Sequence, residues 1–141
     1  MKHVFMDTNV VIDFLANRQP FSLEAAMLFD LSVNGIIKIY ISAVSYNNIH
    51  YVLRKSLTKQ ATIKLLEQIA EITEIADVTS AIIRRSIKTD FNDYEDAIQY
   101  ECALSIPEID FIVTRNTKDF KKSVLPVLTT TEAVAALNNM A

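Results

Sequence analysis

The chain has little of what small folds use for turns and staples. It holds one glycine and three prolines in 141 residues. So few turn-formers argue against an all-β fold, which needs many tight reversals, and for few irregular loops. Cys102 is the only cysteine, which excludes an internal disulfide and a zinc–thiolate cluster. Flanked by Ala103 and Leu104, it reads as a buried structural thiol. No apolar run approaches the roughly 20 residues that a membrane helix needs. Asp7 interrupts the first apolar stretch too early for a signal peptide, so a cytoplasmic protein without membrane association is expected. A basic excess is also missing. The formal net charge is −3, which rules out a general polyanion-binding surface. A nucleic-acid substrate would need local basic groups and bound metal to offset the repulsion.

What is present is apolar content and alternation. Half of the residues are hydrophobic, enough for one domain over residues 1–141 with a core of its own. Strand-like and helix-like segments alternate. Lys2–Met6, Lys38–Ile41, Glu74–Asp77, Asp110–Thr114 and Val127–Leu128 read as strands. Asn9–Ala16, Leu23–Val33, Ala43–Arg54, Thr58–Glu71, Ser80–Lys88, Asp93–Ser105 and a last segment running to about Leu137 read as helices. Gly35 stands where a C-terminal helix cap belongs, and Thr129 with Glu132 has capping-box spacing. This order predicts an α/β fold with a parallel sheet and helices on both faces. Ligands in such sheets bind at the carboxyl ends of the strands.

Acids gather at those ends. Asp7 follows the first strand directly. Asp119 lies five residues beyond the strand that ends at Thr114. Asp93 and Asp96 share one face at the start of a helix, and Asp96 borders the apolar stripe of Ala97, Tyr100 and Leu104. Carboxylates brought together repel, and a hard divalent cation such as Mg²⁺ or Mn²⁺ removes the conflict. Each acid also has a plainer role open to it. Asp7 could cap the following helix, Asn92 with Glu95 resembles a capping box with Asp93 in the first turn, and Asn116 or Asp119 could cap a short helix. Asp13, Glu24, Asp30, Glu67 and Glu71 read as solvated helix faces.

Three segments, taken together, resemble the PIN domain family, especially its VapC-like toxins. These are Val4-Phe5-Met6-Asp7-Thr8-Asn9-Val10, Asp93-Tyr94-Glu95-Asp96-Ala97, and Ile112-Val113-Thr114-Arg115-Asn116-Thr117-Lys118-Asp119-Phe120. They come in the family's order and cover the chain from end to end. The resemblance implies a Rossmann-like three-layer sandwich with a five-stranded parallel sheet. It also implies an endoribonuclease dependent on Mg²⁺ or Mn²⁺, the toxin of a toxin–antitoxin pair, with an antitoxin partner and often a homodimer. By matching position, Asp7, Asp96 and Asp119 are the expected metal-binding and catalytic acids, with Asp93 as an additional one. Thr8 or Thr114 would orient a carboxylate or water, Asn116 would touch substrate or support the site, and Asn9 would support it. One departure stands out. Asn48 occupies the place of a glutamate that the family carries in the helix after the second strand, and it offers a neutral oxygen without charge.

Arg115 and Lys118 flank Asp119 and are the first candidates to hold an RNA backbone, with Lys121, Lys122, Arg84, Arg85 and Lys88 behind them. Tyr46, Tyr51, Tyr94 and Tyr100 could stack on bases, or could be partial core. Two other phosphate chemistries are disfavoured. An aspartyl phosphatase needs a second aspartate where Asn9 stands, and the lysine and aspartate of a phosphoacceptor receiver have no convincing match. A catalytically weakened PIN domain that binds RNA or protein is the alternative that Asn48 favours.

Overall fold

β1 (Lys2–Met6) is the centre of the molecule, and its sequence shows why. Val4, Phe5 and Met6 are all fully buried, so both of its faces are covered. A continuous apolar run of this kind is what a central parallel strand requires. The computed structural model describes residues 1–139. Four further strands join β1 in a parallel sheet: β2 (Ile37–Ser42), β3 (Glu74–Ala76), β4 (Phe111–Val113) and β5 (Val127–Leu128). Their order across the sheet is β3-β2-β1-β4-β5. The chain steps outward from β1 to β3, then returns to the far side of β1 for β4 and β5. The direction of crossover therefore reverses between β1 and β4, where an open α/β sheet has its ligand crevice.

Helices α1 (Thr8–Leu15), α2 (Ser22–Val33), α3 (Ala43–Leu53), α4 (Lys59–Ile72), α5 (Ser80–Ile87), α6 (Tyr94–Leu104) and α7 (Thr130–Asn138) complete the fold, with a 3₁₀ turn at Thr117–Phe120. The strand period of two splits the core between the sheet's faces. Val4, Met6, Ile37, Ile39, Ile41, Phe111 and Val113 join one cluster with apolar residues of α1, α2, α3, α4 and α7. Phe5 and Ile112 join the other, with Tyr100, Cys102 and Ala103 of α6. The three-layer α/β sandwich with a five-stranded parallel sheet is as the sequence led us to expect. Boundaries shift by a residue or two, as helix ends commonly do.

Local chemistry sets the ends of the elements. Thr58 and Thr79 cap α4 and α5 through their side chains, and Thr129 and Glu132 form the anticipated capping box on α7. The single glycine closes α2. Gly35 has φ +75°, its N–H donates to Ser32 O at 3.1 Å, and the N–H of Ile36 donates to Leu31 O at 2.9 Å. This double bond is the Schellman arrangement, whose left-handed residue favours glycine. Of the apolar residues of α4, Ile69 is buried and Leu66 packs on the core, while Ile63 is exposed. The lone thiol of Cys102 is buried, and burial pushes its pKa up to about 12. That fits an inert structural role. Among the described residues no helix is long and apolar enough to cross a membrane.

Candidate active site

Asp7 lies at the carboxyl end of β1, at the reversal of the crossovers. Its backbone N–H donates to Val113 O at 2.9 Å, tying the ends of β1 and β4 together. Its side chain is a helix cap and a site carboxylate at once. Oδ1 accepts the N–H of Thr8 at 2.8 Å, and Oδ2 accepts the hydroxyl of Thr114 at 2.8 Å. Thr114 in turn accepts the N–H of Asn116 at 3.1 Å, which fixes the segment leading to Asp119. Of the two threonines expected to orient a carboxylate, Thr114 does so through its hydroxyl. Thr8 does so through its amide, and its own hydroxyl is engaged below the site.

Burial raises the pKa of Asp7 from 3.8 to about 6. The hydrogen bonds from Thr114 and Thr8 oppose the rise, and the charges of Glu95 and Asp93 add to it. Asp96, in the first turn of α6, is half-buried. Its pKa rises to about 7 because of burial first, then the charges of Asp7, Asp93, Asp119 and Glu95. Acids from the end of β1, the start of α6 and the turn after β4 thus act on one another through space. This is the convergence that the linear sequence could only suggest.

Asp93 is the cap of α6, accepting the N–H of Asp96 at 3.1 Å. The capping box expected of Asn92 with Glu95 is therefore not what starts this helix. The cap falls one residue later, and Glu95 is free to face α3. There its Oε1 accepts Nδ2 of Asn48 at 2.9 Å. Asp119 is exposed in the 3₁₀ turn Thr117–Phe120. It shares a cavity of about 360 Å³ with Asp90, Asp93, Lys118, Lys121 and Lys122, floored in part by Phe91. Asn9 is half-buried in the first turn of α1.

Two expectations are corrected by packing. Asp13 is buried, not a solvated face. Its Oδ2 lies 2.8 Å from Nε of Arg115 and its Oδ1 4.0 Å from Arg18. The guanidinium of Arg115 also lies over the ring of Phe21, 4.4 Å from its centroid. Arg115 is thus committed to Asp13 and Phe21, whereas Lys118 lines the cavity beside Asp119. Of the tyrosines considered for stacking, Tyr100 is core and accepts the N–H of Val124, while Tyr51 and Tyr94 are exposed.

A group that the sequence reading missed lies under the acids. The hydroxyls of Thr8 and Ser45 are 2.6 Å apart, and those of Ser42 and Ser45 are 2.8 Å apart. Nε2 of Gln99 donates to Ser45 at 2.9 Å and to Thr8 at 3.3 Å. All four residues are buried. A glutamine inside the apolar pattern of α6 was the one signal that could have pointed to it.

Among the described residues no three His, Cys, Asp or Glu side chains form a ready-made group to hold a metal ion. The donor chemistry nonetheless fits a hard divalent cation. The facing groups are carboxylate and amide oxygens, and their mutual repulsion is what such an ion relieves. Asp7, Asp96 and Asp119 would hold it, with side-chain rotation at the more exposed acids.

Comparison with known proteins agrees with this fold. The sequence matches the PIN domain family over residues 3–118. The fold is similar to DNA-bound VapBC from Salmonella typhimurium, at 20% identity and TM-score 0.67, covering 92% of this chain and 99% of that one. It is also similar to a toxin–antitoxin complex from Klebsiella pneumoniae, at 22% identity and TM-score 0.66, covering 90% and 97%. A third similar structure is VapC20 of Mycobacterium tuberculosis, described as a sarcin–ricin loop cleaving toxin, at 12% identity and TM-score 0.60, covering 77% and 86%. No curated protein sequence matches the chain. With the family match spanning most of its length and the acids gathered where the sheet reverses, this chain belongs to the PIN domain family.

Proposed function

We propose that the protein is a metal-dependent endoribonuclease, the toxin of a VapC-like toxin–antitoxin pair. The observation that carries this reading is the placement of Asp7 at the end of β1, Asp93 and Asp96 at the start of α6 and Asp119 in the turn after β4 so that their charges act on one another. Acids whose charges act on one another in this way favour the binding of a divalent cation. Nuclease activity is also what the family supports. Asp7, Asp96 and Asp119, with Asp93, are the proposed ligands of Mg²⁺ or Mn²⁺. A bound ion of this kind would lower the pKa of a water molecule and stabilise charge on phosphate oxygens.

The chain's own groups divide the remaining work. Thr114 holds the Asp7 carboxylate by its hydroxyl. Asp96, with a pKa near neutrality, is suited to accept a proton from the attacking water at its carboxylate. Lys118, Lys121 and Lys122 edge the cavity beside Asp119, and they are the proposed contacts for the RNA backbone, with Asn116 and Thr114 nearby. Arg115 would serve indirectly, by anchoring the Thr114–Asp119 segment to α1 through Asp13. Residues 1–141 act as one domain in this reading, in the cytoplasm, with a small antitoxin as partner and a homodimer as the assembly. One of the structures it resembles is a toxin–antitoxin complex, which supports the partner.

The test is an RNA-cleavage assay with the purified protein. Cleavage should require Mg²⁺ or Mn²⁺ and vanish in Asp7→Asn and Asp96→Asn. Equal cleavage by the variants would assign the activity to a contaminant. Asn48 favours a second reading, a weakened PIN domain that binds RNA or a protein partner. Metal-independent RNA retention without cleavage would decide for that one.

A further inference from the structure

Glu95 has no role in the acidic set read from the sequence, and its surroundings give it one. It lies on α6 between Asp93, the cap, and Asp96. Its charge acts on both Asp7 and Asp96. Its carboxylate is not left to wander in solvent, because Oε1 accepts Nδ2 of Asn48 from α3 at 2.9 Å. The two partners are chemically matched. Asn48 offers an N–H and no charge, whereas an acid at that position would meet Glu95 with like charge. A flexible glutamate loses substantial rotamer freedom when ordered, so a neutral donor that restrains it lowers the entropy lost when an ion binds.

We propose that Glu95 is the carboxylate that completes the divalent-cation site on its α3 side, and that Asn48 is the positioning residue that holds it there. This rests on the metal-dependent reading above. The neutral residue on α3 is then one half of a donor–acceptor pair, with the acid carried by the facing helix. The floor of hydroxyls supports the same pairing. Ser45 of α3 and Gln99 of α6 are joined at 2.9 Å, so the helices that carry Asn48 and Glu95 are held in register.

The test is calorimetric titration of Mn²⁺ into metal-free protein, followed through binding and not turnover. Glu95→Gln should weaken Mn²⁺ binding on the order of 100-fold, and Asn48→Ala on the order of 10-fold, the low end for an outer group of a metal site. The paired variant Asn48→Glu/Glu95→Gln moves the acid across the same hydrogen bond and should bind within about 3-fold of the parent protein, less than the roughly 10- to 100-fold that loss of a supporting group costs. Wild-type affinity in Glu95→Gln would overturn the proposal. So would a paired variant no better than Glu95→Gln alone. If the parent protein and Asp7→Asn both fail to bind Mn²⁺, the metal-dependent reading itself falls. If the parent binds, Asp7→Asn does not and Glu95→Gln is unaffected, only the role given to Glu95 is lost.

Discussion

Helix α1 carries two buried carboxylates, one at its cap and one near its end, and they are treated in opposite ways. Asp13 is surrounded by cations. Burial raises its pKa, and Arg115 and Arg18 pull back only part of the rise. Asp7 is surrounded by acids. Burial raises its pKa to about 6, hydrogen bonds from Thr114 and Thr8 oppose the rise, and Glu95 and Asp93 reinforce it. A fold that supplies two arginines to one aspartate and none to its neighbour on the same helix can neutralise a buried acid when only stability is at stake. Among the described residues no cation is paired with Asp7, and this contrast singles it out more sharply than the acids alone do.

The largest effect should come from breaking the ion-paired acid. Asp13→Asn leaves Arg115 without its partner and should cost about 3 kcal/mol, the low end for a broken buried ion pair because Arg115 is partly exposed. Denaturant midpoints at neutral pH measure it. A variant as stable as the parent would show that the arginines contribute nothing and would remove the contrast.

The acid without a cationic partner should make stability depend on pH. A carboxyl whose folded pKa lies above its unfolded value contributes stability that is full below about pH 4 and is lost as pH rises through the folded pKa. For Asp7 and Asp96 that window runs from 3.8 to about 6 and about 7. Metal-free protein should therefore lose stability as pH rises from 4 to 8, and millimolar Mn²⁺ should restore it. Asp7→Asn should flatten the profile and gain up to about 3 kcal/mol at pH 8, from a shift of roughly two units at 1.36 kcal/mol each. Chemical unfolding across pH would reveal a flat parent profile, which is the outcome that contradicts this account.

The smallest change tunes the site without dismantling it. Thr114→Val removes the hydroxyl donated to Asp7 Oδ2 and should cost about 1 kcal/mol. With that donor gone the Asp7 carboxylate is harder to ionise, so the pH at which cleavage reaches half its plateau should move upward. A pH–rate profile superimposable on the parent's would detach Thr114 from the carboxylate.

The sheet was legible in the sequence because buried parallel strands are short apolar runs, as at Val4–Met6 and Phe111–Val113. Asp7 was legible because it follows such a run directly. What escaped depended on partners distant in the chain. Asp13 looked solvated because the arginine that meets it arrives from the other end of the molecule. Arg115 looked available for the same reason. Asn48 looked like a gap until Glu95 was seen opposite it. Asn92 and Glu95 had the spacing of a capping box, but the helix starts one residue later, and no local pattern distinguishes those registers.

The cluster of Thr8, Ser42, Ser45 and Gln99 has a consequence for ion capture. It ties the starts of α1 and α3 to the middle of α6, so in the proposed metal site the entropy of gathering the acids is lost during folding and not during ion binding. Only side-chain torsions remain to be set when a cation enters. Occupancy should then respond to ion concentration without a slow backbone step, and the site would charge and discharge as fast as ions and water exchange.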